Sequence, residues 1–221
     1  MARVGCRLAA AMLGYLGGAL PVVYLFGRLA GVDLRRYGSG NVGSHNLSAA
    51  AGPAAGLAGW LSDAAKGALA VLLSRRLRQD EEVAGWALLA AIAGQCWPPF
   101  LGWSGGRGVA TLVGGMLTLT PRQAPWPLGV IAAVAGLRPL VRASGPISNT
   151  LHSSAVPFGV LIGALVWPLA CRHADSRSHT ATAAAAASLL ILRRITANGW
   201  RNGPASRARL LSRALLDRER W

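Results

Sequence analysis

Lysine is almost missing from this sequence, and acidic residues are few. The 221-residue chain has 23 basic residues, of which only Lys66 is a lysine, against 8 acidic residues. Charged residues make up 14% of the chain and hydrophobic residues 52%, whereas a soluble domain is usually about a quarter charged. The arginines are grouped in short segments between apolar runs, which favours membrane orientation over nucleic-acid binding. We therefore expect a membrane protein with no nucleic-acid partner.

The usual signatures of metal and nucleophilic chemistry are also missing. Three cysteines, an odd number without paired spacing, argue against a disulfide framework or a cysteine metal site. The four histidines lie in separate segments without metalloprotease spacing, and none has an aspartate five positions later. No G-x-S-x-G nucleophile motif occurs. We expect no metal, no cofactor and no covalent nucleophile.

Long apolar segments dominate the chain instead. Seven can be drawn, at about 8–27, 52–74, 83–101, 109–120, 126–141, 155–171 and 180–194. Several are shorter than the roughly 20 residues of a full span, which predicts some short, tilted or re-entrant helices. The fold class predicted is all-α, a polytopic transmembrane helix bundle of about seven helices. The first segment is too long for a typical signal peptide, and Gly14 and Gly18 form a small-xxx-small pair suited to close helix packing.

The distribution of arginine predicts an orientation. With the N-terminus outside, 14 arginines lie in cytoplasmic loops and the tail, against 8 outside. The positive-inside rule thus favours an N-out, C-in topology. We divide the chain into a transmembrane domain at 1–195 and a basic cytoplasmic tail at 196–221. Apolar residues recur at helical spacing in the tail, so it is either an amphipathic helix on the anionic leaflet or a solvated basic end.

A first polar motif, GSGNVGSHN, spans residues 38–46. Its small residues allow a bent backbone whose amides can reach an anion. Ser39, Asn41 and Asn46 add side-chain hydrogen bonds. The alternative interpretation is an ordinary turn.

The second motif, SDAAKGALAV at 62–71, places two charges inside an apolar segment. Asp63 and Lys66 are three residues apart, so on a helix they share a face and can pair. Charges at membrane depth are costly and usually functional. Lys66 either forms a structural ion pair or holds a phosphate as a point charge.

The third motif, GWSGGRGVATLVGG at 102–115, is a glycine-rich turn before an apolar helical run. Free N–H groups and the helix dipole attract anions at such a position. Arg107 adds a bidentate phosphate ligand. The spacing differs from that of a nucleotide P-loop, and a tight interhelical turn is the alternative. Three anion-binding motifs in one membrane protein predict a phosphorylated substrate.

Together the three motifs resemble those of the acyl-phosphate-dependent glycerol-3-phosphate acyltransferase family of the PlsY type. The matching stretches here are GSGNVGSHN, DAAKG and GQCWPPFLGWSGGRGVAT, in the same order as in that family and with similar gaps. The resemblance covers residues 10–120 well and the remainder weakly. Each motif alone is common, whereas the combination is specific.

The resemblance implies a helical membrane bundle that transfers a fatty acyl group from acyl phosphate to the 1-hydroxyl of glycerol 3-phosphate. The product is lysophosphatidate for phospholipid synthesis, and the location is the inner membrane of a bacterial cell. The implied catalytic residues are Ser39, Asn41, Asn46 and Lys66. The implied residues that bind the substrate phosphate are Gly105, Gly106, Arg107, Gly108 and Thr111.

The chain departs from the family pattern at several positions. Ala49 stands where the family has Arg, Gln95 where it has His, and Arg107 where it has Lys. Near the C-terminus, Arg194 stands in place of a second His, and Asn198 falls one position late. A weakened or repurposed paralogue that binds lipid or phosphate ligands is therefore the alternative to an active acyltransferase.

Overall fold

The computed structural model describes residues 2–78, 80–136, 146–174 and 176–196, and the regular structure in these ranges is entirely helical. The helices are α1 (Ala2–Ala19), α2 (Val22–Leu29), α3 (Ser44–Ala51), α4 (Pro53–Arg78), α5 (Glu81–Cys96), a 3-10 turn (Pro99–Leu101), α6 (Val109–Leu119), α7 (Pro125–Gly136), α8 (Pro146–His173) and α9 (Arg177–Thr196). The chain forms two compact units, residues 1–121 and 122–221. The predicted tail helix lies outside the described residues.

Every predicted apolar segment overlaps a helix, but the described ranges hold more helices than the seven predicted. The first segment is split because Pro21 has no N–H to donate, and α1 ends at Ala19. Residues that were predicted as loop form the short helix α3 directly after Gly43. The helix α4 begins at Pro53, a residue whose fixed φ suits a first helical position. The helix α3 ends at Ala51, and Gly52 between the two helices has a φ of 89°.

Glycine contacts set the packing of the first unit. A Cβ added at Gly14 or Gly18 would collide with the backbone of Ala87 or Ala91, so α1 and α5 touch backbone to backbone. The small-xxx-small packing predicted for Gly14 and Gly18 is thus confirmed. Helices α4 and α6 meet in the same way, at Gly67. Such close approach increases dispersion contacts where water provides no hydrophobic drive.

Arg75 of α4 connects the N-terminus of α5 with the C-terminus of α6. Its guanidinium donates to the carbonyl oxygens of Thr118 (2.6 Å) and Leu119 (3.0 Å) at the end of α6. The same group pairs with Glu81, the first residue of α5, at 2.7 Å. The cation satisfies carbonyls that a helix end leaves without intrahelical partners. The C-termini of α1 and α5 and the N-terminus of α6 lie around the site described below.

In the second unit, α7 packs on α8 and α8 on α9. Gly163 of α8 lies against Ile131 of α7, where an added Cβ would stand 2.7 Å from the Ile131 side chain. Trp167 is fully buried, and Arg193 and Arg194 are buried near the end of α9.

Within the part of the chain that the structure describes, two helical stretches are long and apolar enough to cross a bilayer, Val4–Leu29 and Pro53–Leu77. Shorter apolar helices occur at Val109–Leu119, Pro125–Gly136 and Phe158–His173. Large apolar side chains on the outer faces of the long stretches are exposed, including Leu8, Leu16 and Leu73. A lipid environment accounts for this exposure. The N-out, C-in orientation stays a prediction.

Candidate active site

Lys66 lies in a buried polar network halfway along the apolar helix α4. Its ammonium is 3.0 Å from Asp63 Oδ1, and the two side chains are only 7% and 6% exposed. It also donates to Gln95 Oε1 and to the carbonyl oxygen of Leu20, both at 2.6 Å. The predicted pairing of Asp63 with Lys66 on one helical face is confirmed.

Two partners of Lys66 come from outside α4, and sequence reasoning missed both. The carbonyl of Leu20 is accessible because the helix is broken at Pro21. Gln95 lies near the end of α5, and its Nε2 donates to Asp63 Oδ2 at 2.7 Å. Gln95 thus contacts both charges with one amide. A lone glutamine and an internal proline within apolar segments were the available signals.

The glycine-rich turn folds back on the end of α5. The N–H groups of Gly105 and Gly106 donate to the carbonyl oxygens of Cys96 (3.2 Å) and Gln95 (3.0 Å). Gly108 precedes α6 with a φ of 75°, which a glycine adopts without strain. The sequence correctly predicts a glycine turn that opens a helix. It also predicts that the turn's amides face an anion, but two of them are used within the backbone.

The buried side chain of Asn46 holds the backbone of the first motif in place by hydrogen bonds. This side chain is 4% exposed, and its Nδ2 donates to the carbonyl oxygens of Leu34, Tyr37 and Asn41, each at 3.0 Å. Its Oδ1 accepts the Ser39 N–H at 3.3 Å. We therefore assign Asn46 a positioning role.

The other two predicted site residues of this motif, Ser39 and Asn41, lie near its surface. Ser39 is exposed, and its hydroxyl accepts the Asn41 N–H at 3.4 Å. Asn41 is half-buried, and its Oδ1 is enclosed without a hydrogen-bond partner.

The three motifs meet at one small cleft with a cavity volume of about 10 Å³, part of which is open to the surroundings. The first motif contributes Val42, the second Lys66, and the third Gly105 and Gly106. Gln95 of α5 also lines the cleft. Lys66 is the one charged residue among the lining residues. The rest of the wall is apolar, formed by the helix break and the 3-10 turn: Ala19, Leu20, Pro21, Val22, Val23, Pro98 and Leu101. A buried ammonium in an apolar cleft is suited to an anion that carries an apolar group.

Six of the predicted site residues do not line this cleft. Ser39 and Asn41 belong to the loop before α3, and Asn46 lies in α3. Arg107 is partly buried between the glycines and α6, Gly108 caps that helix, and Thr111 is fully buried in its first turn with Oγ1 unpartnered. The first turn of a helix leaves its N–H groups without intrahelical acceptors.

An ion-pair cluster stiffens the loop between α2 and the first motif. The Arg35 guanidinium donates to both carboxylate oxygens of Asp33, at 3.0 and 2.8 Å, and lies over the ring of Tyr24, 5.0 Å from its centroid. The hydrogen bonds from Arg35 lower the pKa of Asp33 to about 2. The carboxylate thus stays ionised and bridged to Arg35 at physiological pH.

The known proteins that are similar in sequence to this chain are glycerol-3-phosphate acyltransferases. The sequence profile of the glycerol-3-phosphate acyltransferase family matches residues 8–201. The glycerol-3-phosphate acyltransferase of Rubrobacter xylanophilus is 45% identical over 55% of this chain and 59% of its own length. That of Jannaschia sp. is 36% identical over 83% of both chains. The alignment with the Rubrobacter protein thus spans about three fifths of that relative.

The fold is also similar to a solved structure. A crystal structure of PlsY, an integral membrane glycerol 3-phosphate acyltransferase in its glycerol 3-phosphate form, superposes with a TM-score of 0.72. The two sequences are 26% identical, and the match covers 93% of this chain and 98% of that chain. The chain is an all-α integral membrane protein, and it belongs to the glycerol-3-phosphate acyltransferase family.

Proposed function

We propose that this protein transfers a fatty acyl group from acyl phosphate to the 1-hydroxyl of glycerol 3-phosphate. The observation that carries the proposal is the meeting of three motifs around one buried ammonium, Lys66, in a membrane chain of this family. The PlsY structure with a TM-score of 0.72 is of the glycerol 3-phosphate form, which supports the same acceptor. The product is lysophosphatidate.

The chemistry suits a site without a nucleophilic side chain. The 1-hydroxyl oxygen attacks the acyl carbonyl carbon, a new ester bond forms, and the bond between that carbon and the phosphate oxygen breaks. Inorganic phosphate leaves with the electron pair, and the proton lost by the hydroxyl passes to this phosphate or to water. Phosphate is a good leaving group, so no side chain has to protonate it. The protein must mainly neutralise anions and align the hydroxyl with the carbonyl.

Each motif has a task in this scheme. Lys66 neutralises the acyl phosphate and polarises it, helped by Ser39 and Asn41 at the rim of the first loop. The first turn of α6, with Arg107 and Thr111, binds the phosphate of glycerol 3-phosphate through N–H groups that lack intrahelical acceptors and through the guanidinium fork. Gly105 and Gly106 keep the backbone of the turn close to the cleft.

A fatty acyl donor partitions into the bilayer, whereas glycerol 3-phosphate is water-soluble. A cleft with apolar walls and one buried positive charge suits acyl phosphate, which has an apolar chain and an anionic phosphate. We place the protein in the inner membrane of a bacterial cell, with the glycine turn and the first motif on the cytoplasmic side. Acyl phosphate, glycerol 3-phosphate and membrane lipid are its partners.

The test is direct assay of the purified protein in lipid nanodiscs. Palmitoyl phosphate and radiolabelled glycerol 3-phosphate should give lysophosphatidate and inorganic phosphate in equal amounts. Palmitoyl coenzyme A, offered instead, should give little product because it lacks the anhydride. Folded protein that gives no lysophosphatidate from palmitoyl phosphate would refute the proposal.

A further inference from the structure

The side chain of Gln95 forms a closed triangle with the two buried charges of α4. Its Oε1 accepts from Lys66 Nζ at 2.6 Å, and its Nε2 donates to Asp63 Oδ2 at 2.7 Å. The third side is the 3.0 Å contact between Lys66 and Asp63 Oδ1. Gln95 itself is 7% exposed. The hydrogen bonds fix the sense of the amide, because its oxygen faces the cation and its NH₂ faces the carboxylate.

The same residue also connects to the glycine turn. The backbone carbonyl of Gln95 accepts the Gly106 N–H at 3.0 Å. A Cβ placed on Gly106 would lie 2.8 Å from Gln95 Nε2, so the turn packs directly on the side-chain amide. Gln95 therefore touches the lysine of the second motif and the backbone of the third.

We infer that Gln95 is the positioning residue that aims the Lys66 ammonium at the cleft and sets its distance from the glycine turn. An unrestrained lysine would lie fully against Asp63, where its charge would be neutralised and unavailable to a ligand. Gln95 binds part of the Asp63 carboxylate and draws Lys66 toward the cleft, which both Gln95 and Lys66 line. Because an amide carries no charge, it does this without competing for the anionic substrate.

The effect of Gln95 on the kinetics of acyl transfer rests on the proposed function. Its effect on the position of Lys66 can be tested without that function. Lys66 is the only lysine of the chain. A small amine-reactive reagent such as acetic anhydride therefore reports on this side chain, and peptide mass spectrometry separates its product from that of the N-terminal amine. Gln95→Met keeps the length of the side chain but removes both hydrogen bonds. It should lower the rate of Lys66 modification about tenfold, because the ammonium then lies fully against Asp63. About tenfold is the value of one hydrogen bond to a charged group.

The kinetic arm uses a double-mutant cycle with Lys66→Met. Alone, Gln95→Met should raise KM for acyl phosphate about tenfold with a smaller change in kcat. In the Lys66→Met background it should have no further effect, because Gln95 acts through the lysine. Gln95→His, assayed at pH 8 where imidazole is mostly neutral, should restore most activity, since it offers one acceptor and one donor. Gln123→Leu, in a turn of the second unit, is the matched control.

The two arms separate failure of the inference from failure of the proposed function. Equal losses from Gln95→Met with and without Lys66 would make Gln95 a packing residue and overturn the inference. An unchanged rate of Lys66 modification in folded Gln95→Met protein would also overturn it. A wild type without acyl transfer, in which Gln95→Met still lowers the rate of Lys66 modification, would refute the proposed function and keep the positioning role.

Discussion

The N–H of Gly106 donates a 3.0 Å hydrogen bond to the carbonyl oxygen of Gln95, the residue whose side chain holds Lys66. The turn and the lysine are therefore built on the same residue of α5. Any change that separates Gly106 from Gln95 should disturb both the glycine turn and the position of the ammonium.

Substitution of Gly106 tests this coupling. A Cβ there would lie 2.8 Å from Gln95 Nε2 and 3.1 Å from the Val42 carbonyl oxygen. We expect Gly106→Ala to lower kcat/KM about ten- to a hundredfold, and Gly106→Leu to abolish acyl transfer, because overpacking of this size costs about 1–3 kcal/mol. Both variants should insert into the membrane normally. Gly129→Ala, where an added Cβ meets no atom, is the control, and full activity of Gly106→Leu would remove the turn from the site.

The close packing of α1 on α5 predicts opposite effects for neighbouring glycines. A Cβ at Gly18 would strike the Ala91 carbonyl, whereas a Cβ at Gly17 meets nothing. Gly18→Ala should lower the free energy of unfolding by about 1–3 kcal/mol. Gly17→Ala should be neutral or slightly stabilising, because alanine is the better helix former. Thermal unfolding in detergent measures both, and equal behaviour of the two variants would argue against backbone contact between the helices.

The hydrogen bonds of Asn46 make a prediction about the first motif. Asn46→Asp replaces the amide donor with a carboxylate that faces three carbonyl oxygens. We expect the free energy of unfolding to fall by at least about 2 kcal/mol, since buried acceptors lose their donor. His45→Ala, at the exposed neighbouring position, should have little effect. A folded Asn46→Asp protein of normal stability would refute the positioning role.

The ion pair between Asp33 and Arg35 predicts a dependence of stability on pH. The pKa of Asp33 is lowered to about 2 in the folded state by the hydrogen bonds from Arg35. Its stabilising contribution is therefore complete above the ordinary aspartate value and is lost as the pH falls through about 2. Asp33→Asn should lower Tm at pH 7, and the difference from wild type should shrink between about pH 4 and pH 2. A difference that is constant over this range would exclude the ion pair as its source.

The sequence predicts well the contacts and turns that depend on residues close together in the chain. Asp63 and Lys66 pair because helical geometry brings residues three apart together, and Gly14 and Gly18 pack closely because they share one face. The turn before α6 follows from glycines that tolerate a positive φ.

Contacts between distant segments were not predictable in the same way. The contact of Gln95 with Lys66 joins residues 29 positions apart, and that of Leu20 with Lys66 joins residues 46 apart. Neither leaves a periodic pattern in the sequence. The resemblance implies a catalytic role for Asn46, a polar residue in a motif that was predicted to bind an anion. Its buried position follows from the number of backbone carbonyls that the bent loop must satisfy, which only the folded chain defines.

Removal of the buried pair separates the structural and the catalytic interpretations of Lys66. If the pair were only structural, the double variant Asp63→Leu with Lys66→Met should behave like wild type, because apolar replacement of a buried pair is often neutral for stability. If Lys66 binds the acyl phosphate, the double variant should fold normally and still lose affinity for that substrate. Lys66→Arg should rescue only in part, since a planar guanidinium does not replace a compact ammonium.

The most direct measurement is acyl transfer from palmitoyl phosphate to glycerol 3-phosphate by purified wild type, Lys66→Met and the double variant in nanodiscs. We predict that wild type forms lysophosphatidate. Both variants should show KM for palmitoyl phosphate raised by about ten- to a hundredfold, the loss of one charge-assisted hydrogen bond. A double variant as active as wild type, or a folded wild type that forms no lysophosphatidate, would contradict the assignment of Lys66 and its cleft as the acyltransferase site.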